Sequence, residues 1–264
     1  MISEGFATVA DGCRIAWRMD GEAGAPMLTL SNSLGTTMEM WAPQMPTLAK
    51  THRILRYDAR GHGRSSAPVG AYGLDRLSRD VVDLLDELGV ESTAFCGLSL
   101  GGMTGQWLGV HAPERLTRLV LANTASVMGP PSSWQQRIAT VTGHGMASIA
   151  DAVIERWFTP EFRVAEAGIV AMVRGWLLAT DPAGYAGCCA AIRDMDLSPV
   201  VRLIDVPTLV AAGERDPATP ASQGQAIATA ITGAHYASLD AAHLSNLERP
   251  EEFSRLIADF LADR

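Results

Sequence analysis

Ser99 stands in Gly97-Leu98-Ser99-Leu100-Gly101, a G-x-S-x-G pattern that bends a chain sharply from strand to helix and holds a serine hydroxyl out at the bend. The glycines are needed because the two backbones pass very close there. The setting strengthens the pattern. Ser92-Thr93-Ala94-Phe95-Cys96 is a short apolar run of strand type, and Met103, Trp107, Leu108 and His111 recur at helical spacing up to Pro113. A serine hydroxyl is a weak nucleophile near neutral pH and needs an adjacent base that is itself oriented. In an open parallel sheet such groups collect in loops after the carboxyl ends of strands. Asp216 follows the apolar run ending at Ala212, and His243 follows the run ending at Leu239.

The rivals are weaker. His52 opens a strand, His111 sits late in a helix, His144 lies in a helical stretch and His235 falls inside a strand. His62 is the serious competitor because it also follows a strand, but glycine on both sides points to a turn packed near the site. Asp240 is too near His243 in the chain to orient it from across a site, which favours Asp216. The order Ser99, Asp216, His243 is therefore the candidate nucleophile, acid and base. Acyl transfer also needs N–H donors for the developing oxyanion, each typically worth about 3–4 kcal/mol. The backbone N–H of Leu100 supplies one, and the loop after the third strand nominates that of Leu34 as the second.

The elements that must position these groups alternate. Residues 5–10 and 14–19 flank Asp11-Gly12 as a hairpin, and residues 26–31, 53–57 and 116–122 are further apolar strand runs. Met40, Trp41, Met45 and Leu48 have helical spacing, as do Leu74, Leu77, Val81, Leu84, Leu85 and Leu88 up to Gly89. Alternation of strand and helix implies an α/β fold with a mostly parallel sheet covered on both faces. The rhythm lapses over residues 124–197, where helical periodicity continues without a strand-like run. We expect a helical cap over 124–197 inserted in a core of residues 1–123 and 198–264.

Composition sets the class. At 264 residues with 47% hydrophobic and 19% charged residues, the chain can bury one large core. A formal net charge of -8 makes nucleic acid and anionic membrane poor partners. Cys13, Cys96 and the adjacent Cys188-Cys189 form no disulfide framework, and no metal-ligand spacing occurs. Met1 to Glu4 carries no basic-then-apolar leader and no apolar run reaches the length of a membrane span, so the expectation is a reduced, cytoplasmic protein. Cys96 lies three residues before the serine, out of place for a nucleophile, and the other cysteines read as small buried hydrophobes.

Taken together, the strand order, the loop Asp58 to Ser65, the elbow, Gly213-Glu214-Arg215-Asp216 with Thr219-Pro220, and His243 resemble the α/β-hydrolase superfamily over nearly the whole chain. Three stretches resemble the 3-oxoadipate enol-lactonases more narrowly: Ser31 to Thr36, Gly97 to Met103, and the cap segment Tyr185 to Asp196. The resemblance implies the α/β-hydrolase fold, with an eight-stranded, mostly parallel sheet and an inserted helical cap. It also implies hydrolysis, without metal or organic cofactor, of a small anionic lactone bearing an acetate arm, by a monomer or small homo-oligomer. One departure from the wider superfamily stands out: its usual His-Gly of the oxyanion loop is Asn32-Ser33 here.

A substrate carboxylate favours an arginine, whose fork it can accept in bidentate fashion. Arg137, Arg163, Arg174 and Arg193 lie in the expected cap, and Arg193 falls in the family-like segment, although Asp194 and Asp196 offer it a purely structural pairing. Trp134 and Trp157 are candidates for an apolar wall, with packing inside the cap as the competing role. The rival functions are another serine hydrolase on the same fold (a carboxylesterase, a C–C bond hydrolase or a perhydrolase) and a non-catalytic ligand receptor.

Overall fold

A strand buried on both faces sends alternate side chains into two different cores. The computed structural model, which describes residues 2–262, has this arrangement at its centre. In β5 (Thr93–Leu98), Phe95 joins the apolar layer on one face, while Ala94 and Cys96 join the layer on the other. In β6 (Leu116–Ala122), Leu119 and Leu121 point to the first layer, and Val120 and Ala122 to the second. Around this pair lie β1 (Ser3–Thr8), β2 (Arg14–Asp20), β3 (Met27–Ser31), β4 (Arg53–Tyr57), β7 (Thr208–Gly213) and β8 (His235–Leu239). The eight strands run in the order β1-β2-β4-β3-β5-β6-β7-β8. The β1–β2 and β2–β4 pairs are antiparallel and every other neighbouring pair is parallel.

The helices of the core are α1 (Met45–Leu48), α2 (Leu74–Glu87) and α3 (Leu100–His111) before β6 ends, then α9 (Ala221–Ala230), α10 (Ser245–Glu248) and α11 (Pro250–Ala262) after β7. One expectation is corrected here. Met40, Trp41, Met45 and Leu48 share helical spacing, yet they form a 3₁₀ turn over Met38–Gln44 followed by only four residues of α1. Pro43 and Pro46 lack an N–H, so an i→i−4 ladder cannot run through the segment.

Between β6 and β7 the described residues form five α-helices, α4 (Pro131–His144), α5 (Ala147–Trp157), α6 (Pro160–Ala165), α7 (Ala167–Ala179) and α8 (Pro182–Asp194), and then a 3₁₀ turn over Val201–Leu203. Val141, Val153, Trp157, Val173, Leu177 and Tyr185 from these helices share one apolar cluster with Leu98, Leu100 and Met103 of the core. The helices therefore roof the carboxyl end of the sheet. One close approach to the core joins two glycines: a Cβ at Gly61 would lie 2.5 Å from the Gly184 Cα, so α8 rests directly on the backbone of the loop after β4. No helix among the described residues is long and apolar enough to cross a membrane.

Candidate active site

Ser99 joins β5 to α3 with φ 59° and ψ -113°, a conformation that costs a non-glycine residue about 1–3 kcal/mol. The surroundings impose it. The Ser99 N–H donates to Ala122 O at 2.9 Å and the Thr124 hydroxyl donates to Ser99 O at 2.8 Å. A Cβ at Gly97 would fall 2.0 Å from Gly101 O, and one at Gly101 would fall 2.2 Å from Ser31 O. The two glycines are thus the condition for packing the elbow between its neighbours.

His243 follows β8, and its Nδ1 donates to Asp216 Oδ2 at 2.8 Å. Both side chains are buried, at 3% and 0% exposure. Asp216 follows β7 and is surrounded by donors. Its Oδ1 accepts from the N–H groups of Ala218 (2.7 Å) and Thr219 (3.0 Å), and Oδ2 also accepts from the Thr219 hydroxyl (2.7 Å) and Asn123 Nδ2 (3.1 Å). Burial acts to raise the Asp216 pKa, but the charge and hydrogen bond of His243, with those of Thr219, outweigh it and hold the carboxylate below its usual range. Asp216 stays ionised, and its bond to Nδ1 leaves His243 Nε2 free to accept a proton.

Asn123 was not foreseen from the sequence. It takes φ 43° just beyond β6, donates to Ala242 O (3.2 Å) as well as to Asp216, and accepts from the Ser245 hydroxyl (2.5 Å). A polar residue able to adopt positive φ directly after a buried strand is the signal that could have found it.

Ser99 and His243 line a single cavity of about 280 Å³, together with Ser33, Leu34, Met103 and Thr219 from the core. Among the described residues the Ser99 hydroxyl takes no hydrogen-bond partner, so the Ser99–His243 bond is not formed in this state. Catalytic hydrogen bonds of this kind often tighten only around substrate. The N–H groups of Leu34 and Leu100 likewise have no protein acceptor among the described residues.

The loop carrying Leu34 is braced on several sides. Asn32 donates to Tyr57 O (2.8 Å) and accepts from Trp41 Nε1 (2.9 Å). The Thr36 hydroxyl donates to Ser33 O at 2.8 Å. His62, the rival base, is part of this brace: its Nε2 accepts the Gly35 N–H at 2.8 Å while Nδ1 meets Arg60 O at 3.1 Å. Burial pushes its pKa down to about 4, so it is a neutral strut turned away from the cavity chemistry. The same loop is locked by Asp58, which accepts from the N–H groups of Met38 and Arg64, and by the forked Arg60–Asp80 pair.

Pro217 and Ala218 from the loop after β7 also line the cavity, and its other walls come from the roof, among them Trp134, Arg137, Val153, Arg156, Trp157 and Tyr185 with Ile192. The Arg137 guanidinium stacks over Trp134 at 4.8 Å and also interacts with Tyr185. Arg156, another residue missed from sequence, reaches the same cavity from α5. Burial, reinforced by the positive charge of Arg137, lowers its pKa from the ordinary arginine value. Neither guanidinium is paired with a carboxylate among the described residues. Arg193 must be corrected. Its Nε and Nη2 fork onto Asp194 at 2.7 Å each and its Nη1 meets Gln135 outside the cavity. Ile192 is the neighbour that faces inward, and one residue along a helix turns the side chain by about 100°.

The family model described as alpha/beta hydrolase fold matches residues 26–162. The chain is 41% identical over 237 residues to 3-oxoadipate enol-lactonase 2 of Acinetobacter baylyi, covering 90% of this chain and 89% of that one. Among solved structures it is similar to a hydrolase from Pseudomonas aeruginosa PA01, at 47% identity, TM-score 0.97 and 99% coverage of both chains. It is similar also to the enol-lactonase from Burkholderia xenovorans LB400, at 44% identity and TM-score 0.97, covering 98% of this chain and 100% of that one.

Proposed function

The chain belongs to the α/β-hydrolase fold family and, within it, to the 3-oxoadipate enol-lactonases, and from that premise we propose that it hydrolyses 3-oxoadipate enol-lactone through Ser99, His243 and Asp216. Ser99 Oγ attacks the lactone carbonyl while His243 Nε2 takes its proton. Asp216 stabilises the resulting imidazolium. The tetrahedral oxyanion rests on the N–H groups of Leu34 and Leu100. As the ring C–O bond breaks, the enolate oxygen leaves on a chain still tethered to the acyl group, and His243 returns the proton to it. The enol then tautomerises to the ketone, which removes the group that would re-close the ring. Water, deprotonated by His243, attacks the acyl-enzyme; Ser99 Oγ departs and recovers its proton.

One observation carries the substrate assignment: a single cavity has the serine and histidine on its floor and the two unpaired guanidiniums of Arg137 and Arg156 in its roof. A small lactone with a carboxylate arm offers a reacting carbonyl to the floor of this cavity and a charge to its roof. Charge-assisted hydrogen bonds from a guanidinium to a carboxylate are among the stronger ones in proteins. Trp134 and Trp157 flank the pair as apolar walls, and residues 124–197 serve as the cap that carries this specificity.

The test compares kcat/KM for the enol-lactone with that for a p-nitrophenyl ester of similar size but no charge. Faster turnover of the lactone is expected, abolished in Ser99→Ala by about 10⁴-fold or more. A clear preference for the neutral ester overturns the substrate assignment.

A further inference from the structure

Glu248 ends the short helix α10 and is 4% exposed, yet neutral donors alone meet its carboxylate. Its Oε2 accepts the Ala242 N–H at 2.8 Å. Its Oε1 accepts the Thr159 N–H at 3.3 Å and also the Thr159 hydroxyl. The cation that feels its charge, Arg215, pairs with Glu161 and Asp240 instead. Keeping a carboxylate in such a place is strongly unfavourable unless its hydrogen bonds do something a packed apolar side chain could not.

What they do is visible from the chain on either side of His243. Ala242, the residue before it, is held by Glu248 to Thr159, which caps α6. Leu244, the residue after it, donates its N–H to Trp157 O at 3.1 Å, and Trp157 ends α5 and lines the cavity. The turn 157–159 of the helical roof thus grips the backbone of His243 from both flanks. On the core side the same segment is held by Asn123, through Ala242 O and the Ser245 hydroxyl. The imidazole therefore sits between two anchors, one in the sheet and one in the roof.

We propose that Glu248 is a positioning residue for the base, coupling the roof turn 157–159 to His243 so that a substrate seated against Trp157 also sets the imidazole over Ser99. The proposal rests on His243 being the base. Displacing a catalytic group by even about 1 Å can lower a rate about 10²-fold. Without the carboxylate, the Ala242 N–H and the Thr159 donors lose their common acceptor, and the roof loses one of its two holds on the base.

The experiment measures kcat and KM for the enol-lactone, the melting temperature, and the downfield proton resonance of the His243–Asp216 hydrogen bond in one series of purified proteins. Glu248→Ala is expected to lower kcat about 100-fold with KM within about twofold of wild type, and to broaden or shift the downfield resonance. Glu248→Gln keeps an oxygen for the Ala242 N–H and is expected to recover kcat to within about fivefold of wild type. Thr159→Val, which removes one donor and keeps the shape, is expected to lower kcat about fivefold at unchanged KM. A folded Glu248→Ala with wild-type kcat and an unchanged resonance overturns the coupling, even where its melting temperature falls. Should Glu248→Ala fail to fold, wild-type kcat in Thr159→Val overturns it instead. Wild type and Ser99→Ala run alongside: an inactive wild type, or an active Ser99→Ala, overturns the underlying assignment and this proposal with it.

Discussion

The floor and the roof of the cavity are built on opposite principles. On the floor the groups that surround the serine are committed: Asp216 accepts five hydrogen bonds, His243 is fixed through Nδ1, Asn123 serves three partners, and His62 spans from Gly35 to Arg60. In the roof, Arg137 and Arg156 stand side by side with no carboxylate, although the chain carries a formal net charge of -8. A fully satisfied network fixes geometry and suits proton transfer. Two like charges held together without a counter-ion store affinity for an anion that has yet to arrive. Under the proposed function the sheet sets the reaction and the helices between β6 and β7 choose the molecule.

The sharpest way to break the contrast is Asp216→Asn. The floor keeps its shape but loses the charge that selects the His243 tautomer, and kcat is expected to fall about 10⁴-fold with KM little changed. A loss confined to KM would place Asp216 in binding instead. Arg137→Ala and Arg156→Ala come next. Each is expected to reduce kcat/KM for the anionic lactone about 10- to 100-fold while leaving turnover of a neutral ester within about threefold. Equal losses on both substrates would return the arginines to a structural role.

His62 offers a test of the floor's rigidity by pH. Its folded pKa of about 4 lies below the unfolded value of about 6.5, so between these pH values the unfolded chain holds the extra proton. Stability therefore rises with pH across that window and is lost on acidification, by about 3 kcal/mol at most. Subtracting the pH–stability curve of His62→Gln from that of wild type isolates this slope from Asp58 and Asp80, whose buried carboxyls are raised and act in the opposite sense. A flat difference curve would show that the strut tolerates its proton. The smallest effect is expected at Arg193→Ala. An exposed pair with Asp194 contributes little, and KM for the lactone should stay within about twofold of wild type.

The two regions were not equally legible. Loops after buried strands are found from local pattern, so Ser99, Asp216 and His243 could be singled out together. The chain between them closes because continuous apolar runs such as 93–98 and 116–122 leave a sheet little choice of neighbours. In the roof, a lone arginine on an amphipathic helix looks the same whether it faces water or a cavity. Arg156 went unnoticed for that reason, and Arg193 drew attention it did not merit, since one residue of helical rotation separates the inward Ile192 from it. Asn123 and Glu248 were hidden for another reason. Their partners lie 93 and 89 residues away in sequence, and only the folded chain brings a carboxamide to Asp216 or a carboxylate to Thr159. The proline-interrupted turn over Met38–Gln44 shows the reverse case, where a convincing period was overruled by two missing N–H groups.

The contact of Gly61 with Gly184 fixes something further. With no side chain at that bearing, bare main chain meets main chain, and the spacing of α8 above the loop after β4 is set there. A single methyl introduced at position 184 is a wedge: it would fall 2.3 Å from the Gly61 Cα and 2.7 Å from its carbonyl oxygen, so the helix or the loop beneath it has to give way.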